Sequence, residues 1–228
     1  AVVGLLGNPD ARVSGLALEL LISLSGVEAC CRRIGNSEVV GAFVSKLQET
    51  PPPPTPTQRG VLLALGNLLA VARGGLDRGA VEAGALEAAV ARLQSPDAGV
   101  CEQASRVLAR LAANREFTTL AAASGALQAL LAQVLDPAMA APSPVAGGGL
   151  PLHFPALRAL VAMLPHAEAP YALEALNAGV VGAAEQLLGH AERQVQDQAA
   201  LLLHALFSHP EKAVLGLALI AASGTSIL

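Results

Sequence analysis

EAGALEAAVARLQSPDAGVCEQASRVLARLA, residues 82–112, is the stretch that decides the fold of this chain. It contains a Gly-Ala turn, a short apolar segment, a Ser-Pro-Asp turn and a longer apolar segment. Both apolar segments have the spacing of a helix face. Asp97 beside Pro96 predicts a helix entry, because a polar side chain caps the first N–H groups and proline fits the first turn.

Parts of this stretch recur elsewhere in the chain. When Pro9 is aligned with Pro96, residues 1–13 fall on residues 88–100 with seven of thirteen positions identical. Residues 183–195 fit the same register. Self-similarity of this kind is typical of repeat architectures, in which each copy is one supersecondary unit.

Five long helical segments share one pattern around an equivalent reference position. The reference positions are Ser23, Asn67, Arg110, Ala162 and Ala205. Apolar residues recur two residues before and one residue after the reference, and a small residue recurs six residues before it. These three offsets lie on one face of a helix with 3.6 residues per turn. The small-residue row lets a neighbouring helix approach closely.

Glycines and two loop insertions set the length of each unit. The glycine anchors downstream of the long helices are Gly35, Gly84, Gly125, Gly179 and Gly224. Glycine tolerates the left-handed conformation that a tight turn between helices needs. The anchors lie roughly 41 to 54 residues apart, which suits a three-helix repeat. Proline-rich insertions at 50–57 and 136–151 explain the longer intervals, because proline cannot continue a helix.

Taken together, these features resemble the armadillo repeat of the ARM/HEAT-like superfamily over essentially the whole chain. The resemblance implies an all-α fold, a right-handed superhelical solenoid whose third helices line a concave groove. Neighbouring repeats in such a stack share one continuous core. We expect further repeats or another subunit to cover the ends, because the chain starts and stops inside a repeat. The predicted organisation is a single domain over 1–228 with repeats at 11–50, 58–97, 98–151 and 152–194, and partial repeats at 1–10 and 195–228.

The resemblance also implies where a partner would bind. In armadillo proteins that bind extended peptides, an asparagine on each third helix holds the peptide backbone, and a tryptophan four residues earlier packs against its side chains. Only Asn67 matches this pattern, and the chain has no tryptophan. This departure argues against recognition of basic peptides of the nuclear-import type. The candidate groove residues are Glu19, Ser23, Leu63, Asn67, Arg106, Arg110 and Arg158.

Three of these candidates are arginines. Arg106 and Arg110 are four residues apart and therefore share one helix face, and Arg158 is expected on the next long helix. Because arginine forks pair bidentately with carboxylates, we hypothesise a cationic patch that binds an acidic segment. The alternative is that the arginines pair with Glu102 or simply face solvent. For Asn67, the alternative is an ordinary polar surface residue.

No pattern in the sequence indicates catalysis or cofactor binding. None of the five histidines forms a metal-binding motif, and each is expected to be a surface or partly buried residue. Cys30, Cys31 and Cys101 are expected to be small apolar fillers, and the glycine run at 147–149 lacks the Lys-Ser/Thr of a phosphate loop. We therefore predict no catalytic residue, cofactor or metal, and no enzyme activity.

Composition excludes several classes of protein. Of 228 residues, 53% are hydrophobic and 14% charged, which excludes a disordered chain. Three cysteines are too few for a disulfide scaffold, and a net charge of -4 argues against a nucleic-acid binder. The apolar runs at 61–72 and 213–222 are shorter than the roughly 20 residues of a membrane span.

The function that follows is a protein–protein interaction scaffold, or a structural subunit of a larger assembly. A freely soluble surface carries about 25–35% charged residues, so the low charge favours protein partners in a stable complex. Residues 198–212, QAALLLHALFSHPEK, are similar to a late repeat of the armadillo nucleotide-exchange factors of a heat-shock chaperone, which is the alternative function. We expect an intracellular, reducing compartment, the cytoplasm, because the chain shows no signal peptide and few cysteines.

Overall fold

A computed structural model describes residues 2–6, 8, 10–72, 75–143, 150–166, 173 and 175–207. Gly224, the apolar run at 213–222, the glycine run at 147–149 and the last five residues of the stretch 198–212 lie outside this part of the chain. The predicted partial repeat at 195–228 is therefore described only through Phe207.

Most of the described residues are helical. The helices are α1 (Ala11–Ser25), α2 (Glu28–Ile34), α3 (Ser37–Leu47), α4 (Thr55–Ala72), α5 (Asp77–Glu82), α6 (Ala85–Arg92), α7 (Ala98–Leu111), α8 (Arg115–Ala123), α9 (Ala126–Leu135), α10 (Phe154–Met163), α11 (Val180–Leu188) and α12 (Arg193–Phe207). Short 3-10 turns occupy Val3–Leu5, Pro137–Ala140 and Leu164–His166. An isolated antiparallel bridge joins Pro142 and Pro151. The all-α class is confirmed.

The helices follow one another in triplets. After α1, two shorter helices precede each of α4, α7 and α10, and α11 precedes α12. We call α1, α4, α7, α10 and α12 the third helices; each contains one of the five long segments predicted from the sequence. Their apolar pattern is confirmed at the position two residues before the reference in four helices, where Leu21, Leu65, Leu108 and Leu160 are at most 1% exposed. In α12 the equivalent Leu203 is only half-buried.

Contacts between Cα atoms divide the chain into two compact units, Ala1–Leu111 and Ala112–Leu228. In the first unit α4 packs against both α1 and α7, and the shorter helices α3 and α6 cover α4 and α7. In the second unit α10 packs against α9 and α12, and α11 packs against α12. Each unit thus buries the apolar faces of its third helices against its own neighbouring helices.

We call α2, α5 and α8 first helices and α3, α6, α9 and α11 second helices. The turn before each second helix is two residues long, and these turns lie at 35–36, 83–84, 124–125 and 178–179. Gly84, Gly125 and Gly179 have φ angles of 88°, 82° and 86°, as predicted for left-handed turn residues. The prediction was wrong for Gly35, whose φ is -68°. Glycine is needed there for another reason: an added Cβ would lie 2.7 Å from the Cys31 carbonyl oxygen.

The connections between second and third helices vary much more, spanning 48–54, 93–97, 136–153 and 189–192. The first of these ends earlier than the predicted insertion at 50–57, because α4 begins at Thr55 and Pro56 fits the first helical turn. This connection is fastened by side chains. Gln58 Nε2 donates to the Pro53 carbonyl oxygen at 2.7 Å, and Arg92 donates to Gln58 Oε1 at 2.8 Å and to the Leu47 carbonyl oxygen.

The predicted helix entry at Asp97 is confirmed by its hydrogen bond, and α1 begins in the same way. At α1, Asp10 Oδ1 accepts from the Arg12 N–H at 2.8 Å. At α7, Asp97 Oδ1 accepts from the Val100 N–H at 2.8 Å. Each carboxylate satisfies a helical N–H group that has no partner within the helix.

Candidate functional site

The predicted groove positions on α1, α4 and α7 are accessible to solvent. They are the reference position of each third helix and the position four residues earlier, Glu19, Ser23, Leu63, Asn67, Arg106 and Arg110, and we call them the groove row. Glu19, Ser23 and Arg110 are exposed, whereas Leu63, Asn67 and Arg106 are half-buried. The residues three before the reference in α4 and α7, Ala64 and Val107, are fully buried. The six residues thus occupy equivalent, accessible positions on three helices that pack in succession, and their joining into one groove stays a prediction.

Arg106 and Arg110 provide the positive charge of the groove row. They lie one turn apart on α7, which is 14 residues long, and neither guanidinium has a hydrogen bond or ion pair with another described residue. Glu102, the partner considered from the sequence, is fully buried. Two arginine forks thus reach solvent on one helix face, the arrangement that binds carboxylates bidentately.

Arg158 lies in the second unit. It is an exposed residue of α10, at the position of the long segment that the sequence predicted. Its assignment to the same cationic patch as Arg106 and Arg110 stays a prediction.

Asn67 borders a cavity of about 300 Å³ in the first unit. The cavity is lined by Ser25, Gly26, Glu28, Cys31, Asn67, Ala70 and Val71. No hydrogen bond joins the Asn67 amide to another described residue, so both its donor and its acceptor are available to a partner. The role of Asn67 as the asparagine of a peptide-binding third helix stays a prediction.

The remaining positions of the groove row have fewer polar groups available to a partner. The Ser23 hydroxyl donates to the Glu19 carbonyl oxygen at 2.8 Å and is therefore turned back onto its own helix. Leu63 contributes apolar surface beside Asn67, in place of the tryptophan of peptide-binding armadillo proteins. The chemistry of the row is thus concentrated on α4 and α7.

Sequence reasoning missed the ion pair that joins the N-terminal ends of these two helices. Arg59 Nη2 donates to both carboxylate oxygens of Asp97 at 2.9 Å. Burial alone would raise the pKa of Asp97, but the hydrogen bonds from Arg59 and Val100 hold it below its ordinary value. Gly99 makes room for the guanidinium, since an added Cβ would lie 2.7 Å from Arg59 Nε. A pairing across 38 residues has no local sequence signal.

Two buried polar side chains were also missed. Gln103 on α7 is 1% exposed, and neither its amide nitrogen nor its amide oxygen has a hydrogen-bond partner. His153, expected to be a surface or partly buried residue, is 3% exposed, and its two ring nitrogens have no hydrogen-bond partner. Burial lowers the pKa of His153, and the neighbouring His190 lowers it further. The sequence holds no signal for either burial, because polar residues normally mark the outer face of a helix.

Two of the three cysteines are small buried residues with one additional role, whereas Cys30 is half-buried. Cys31 and Cys101 are buried, and their thiols donate to backbone carbonyl oxygens at the ends of α1 and α6, Ser25 at 2.9 Å and Ser95 at 3.1 Å. Burial raises the pKa of Cys31, and Cys30 and Glu28 add to the effect. A raised pKa favours the thiol over the reactive thiolate.

The described residues hold neither a metal-binding cluster nor a straight membrane-spanning helix. Within them, no group of three or more His, Cys, Asp or Glu side chains could hold a metal ion. In the same part of the chain no single helix is long and apolar enough to cross a membrane; α8 and α9 meet the length and hydropathy of a span only as a pair bent by 82°.

Known proteins resemble this chain in structure but not in sequence. No protein-family model and no curated protein matches the sequence. Among solved structures, a designed armadillo repeat protein in complex with the peptide (KR)4 is similar over 100% of this chain and 92% of its own, with a TM-score of 0.73 and 18% identity. The armadillo-repeats-only protein of Plasmodium falciparum is similar over 85% of this chain and 80% of its own, with a TM-score of 0.61 and 16% identity.

The chain has an armadillo-repeat fold. A further structure, an engineered protein, matches 97% of this chain and 86% of its own with a TM-score of 0.73 and 22% identity. The armadillo likeness thus covers nearly the whole chain, as the repeat pattern predicted. At these identities it concerns the fold.

Proposed function

We propose that this protein is a non-enzymatic armadillo scaffold that binds an acidic segment of a partner protein along the groove row of its first unit. The observation that carries the proposal is the pair of accessible arginines on α7, beside Asn67 on α4. One armadillo protein of similar fold is in complex with the peptide (KR)4, and others were designed for modular peptide recognition; both support a peptide segment as the ligand, and its acidic character rests on the arginines alone.

Each side chain of the groove row makes a different contact with the partner segment. The Asn67 amide donates to and accepts from the backbone of an extended segment. Arg106 and Arg110 pair with carboxylates of the same segment, and the half-buried position of Arg106 strengthens its pairing relative to a fully exposed charge. Leu63 packs against the apolar part of the segment.

The experiment measures binding of a fluorescent, extended peptide of alternating glutamate and alanine by anisotropy. The Arg106→Glu/Arg110→Glu variant is expected to lose at least about tenfold in affinity, since two charge-assisted pairs are removed. Raising the salt concentration weakens binding to the unaltered protein, because exposed charges are screened. The same peptide with lysine in place of glutamate serves as the probe of opposite charge.

A matched control separates the groove from overall charge. The Arg33→Glu/Arg115→Glu variant changes the net charge by the same amount at two exposed arginines outside the groove row, and it is expected to bind nearly as the unaltered protein does. Equal losses in both double variants would show that only net charge matters. Tighter binding of the lysine peptide would reverse the proposed partner chemistry, and an Arg158→Glu variant with unaltered affinity would confine the site to the first unit.

A further inference from the structure

The connection between α3 and α4, residues 48–54, contains more proline than a joint of this kind requires. Four consecutive prolines occupy 51–54, and Pro56 follows in the first turn of α4. The connections at 93–97 and 189–192 also lead from a second helix to a third helix, and they contain one proline and none. The fold therefore does not by itself account for the proline run.

The covalent chemistry of proline sets the conformation of this run. The pyrrolidine ring fixes φ at about -65°, and a residue that precedes proline is confined to the extended region. Pro51, Pro52 and Pro53 meet both conditions, and no helix or strand is formed at 52–54. These constraints favour the polyproline II helix, which has three residues per turn and no internal hydrogen bonds.

Burial along the run is that of such a helix with one edge against the protein. Pro53 is buried, whereas Pro51, Pro52 and Pro54 are exposed. Because three residues make one turn, Pro51 and Pro54 share one solvent-facing edge and Pro52 lies on the other. Exposure continues on both sides, since every residue of 48–56 except Pro53 is exposed.

The buried edge is held in place by side chains of α4 and α6. Gln58 Nε2 donates to the Pro53 carbonyl oxygen at 2.7 Å, and Arg92 donates to Gln58 Oε1 at 2.8 Å. No hydrogen bond joins the carbonyl oxygens of Pro51 and Pro52 to another described residue. The run is therefore ordered in advance, while two of its acceptors stay available to a partner.

We propose that the proline run at 51–54 is a docking segment for a partner domain with an aromatic-lined polyproline groove, of the SH3 or WW kind. Such grooves bind P-x-x-P segments in the polyproline II conformation. Pro51 and Pro54 have this spacing on one exposed edge, and Pro52 supplies the second exposed edge. Because the run is already ordered, little conformational entropy is lost on binding.

Titration of a panel of purified SH3 and WW domains with the whole chain tests the proposal. The domains are chosen to carry a tryptophan in the groove, and this chain has no tryptophan. Tryptophan fluorescence therefore reports on the domain alone. A saturable change is expected with at least one domain of the panel.

Three variants identify the residues that bind. Pro51→Ala/Pro54→Ala is expected to weaken binding at least about tenfold, because both prolines of one exposed edge are removed. The matched control Pro96→Ala/Pro137→Ala removes two exposed prolines from other connections and leaves binding unchanged. Gln58→Ala keeps every proline but releases the buried edge, and it is expected to weaken binding by about twofold to fivefold because the run must then be ordered on binding.

A synthetic peptide of residues 48–57 separates the proline motif from its place in the fold. The peptide is expected to compete with the whole chain for the same groove. Its affinity should be lower, because the free peptide lacks the hydrogen bond that Gln58 makes to Pro53.

Three results would overturn the proposal. They are unchanged fluorescence of every domain in the panel, a change that Pro51→Ala/Pro54→Ala does not reduce, and binding of the peptide without binding of the whole chain. Circular dichroism of each variant separates a lost docking segment from a lost fold. The prolines are not part of the groove row, so the same variants are expected to bind the acidic peptide unaltered, and either proposal can fail without the other.

Discussion

At the scale of single residues, the glycines of this chain do two different things. Gly84, Gly125 and Gly179 hold left-handed turns between first and second helices, where a side chain is strained. Gly66, in contrast, lies in the interior of the 18-residue helix α4, where glycine weakens the helix because it has more conformational freedom to lose on folding. One residue type is thus required at some positions and costly at another.

This difference predicts opposite effects of the same substitution. Gly66→Ala is expected to raise the free energy of unfolding by about 0.5–1 kcal/mol, because the added Cβ makes an ordinary contact with Val107 at 3.9 Å. Gly84→Ala is expected to lower it by about 1–2 kcal/mol, since φ is 88° and Gln48 Nε2 lies 2.7 Å from the added Cβ. Urea denaturation followed by circular dichroism measures both. Two changes of the same sign would contradict this account.

At the scale of secondary-structure elements, the N-terminus of α7 is the most heavily supported helix end described. Asp97 caps the helix through Val100 and also pairs with Arg59 on α4. Asp10 caps α1 through Arg12 and lies at an exposed helix end. The two aspartates have the same capping role, but one also connects two third helices.

We expect Asp97→Ala to lower the free energy of unfolding by about 1–2 kcal/mol. Asp97→Asn keeps a capping oxygen and is expected to cost less, about 0–1 kcal/mol, because the ion pair is partly exposed and screened. Asp10→Ala is the matched control for a cap without the ion pair. It is expected to lower the melting temperature less than Asp97→Ala does. If the Asp10 and Asp97 alanine variants proved equal, the Arg59 pairing would contribute nothing.

Acid titration adds a second measurement of the same element. The pKa of Asp97 is lowered on folding, so the unfolded chain takes up a proton at a higher pH than the folded chain does. The stability from this carboxylate is therefore present above its ordinary pKa near 3.8 and is lost as the pH falls through the lowered folded value. The loss should be smaller in Asp97→Asn, which cannot titrate.

At the scale of the whole molecule, the buried His153 makes stability depend on pH between neutral and mildly acidic. Its pKa is lowered from 6.5 on folding, so below about pH 6.5 the unfolded chain binds a proton that the folded chain does not. Stability is expected to fall with decreasing pH by up to about 1.4 kcal/mol per pH unit. Among the described residues, no other resolved pKa shift belongs to a group that ordinarily titrates in this window.

Thermal denaturation at pH 7 and pH 5.5 measures this effect. His153→Phe removes a buried imidazole whose nitrogens have no hydrogen-bond partner, and it is expected to flatten the pH dependence. His166→Gln, at an exposed histidine, is the control and keeps it. An unchanged slope in His153→Phe would assign the pH dependence to other groups.

The sequence predicted the repeat fold because its core rows are periodic and apolar. Leu65 and Leu108 show that the position two before the reference is buried in successive third helices, as the pattern requires. The sequence could not predict that Gln103 and His153 are buried, because a polar side chain has no periodic signature that separates core from surface. The Arg59–Asp97 pair was missed because it depends on the stagger of α4 and α7. The groove row rests on the family likeness, and its accessibility is what the structure adds.

The connections between second and third helices have a consequence for how such a chain changes length. They range from 189–192 to 136–153, whereas the first-to-second turns all have two residues. The reference positions of the third helices stay equivalent despite this variation. Residues added to or removed from these connections are therefore expected to leave the packing of the third helices in register. In the connection at 48–54, the exposed pair Pro51 and Pro52 is the place to graft a reporter peptide, because it precedes Pro53, whose carbonyl oxygen accepts from Gln58.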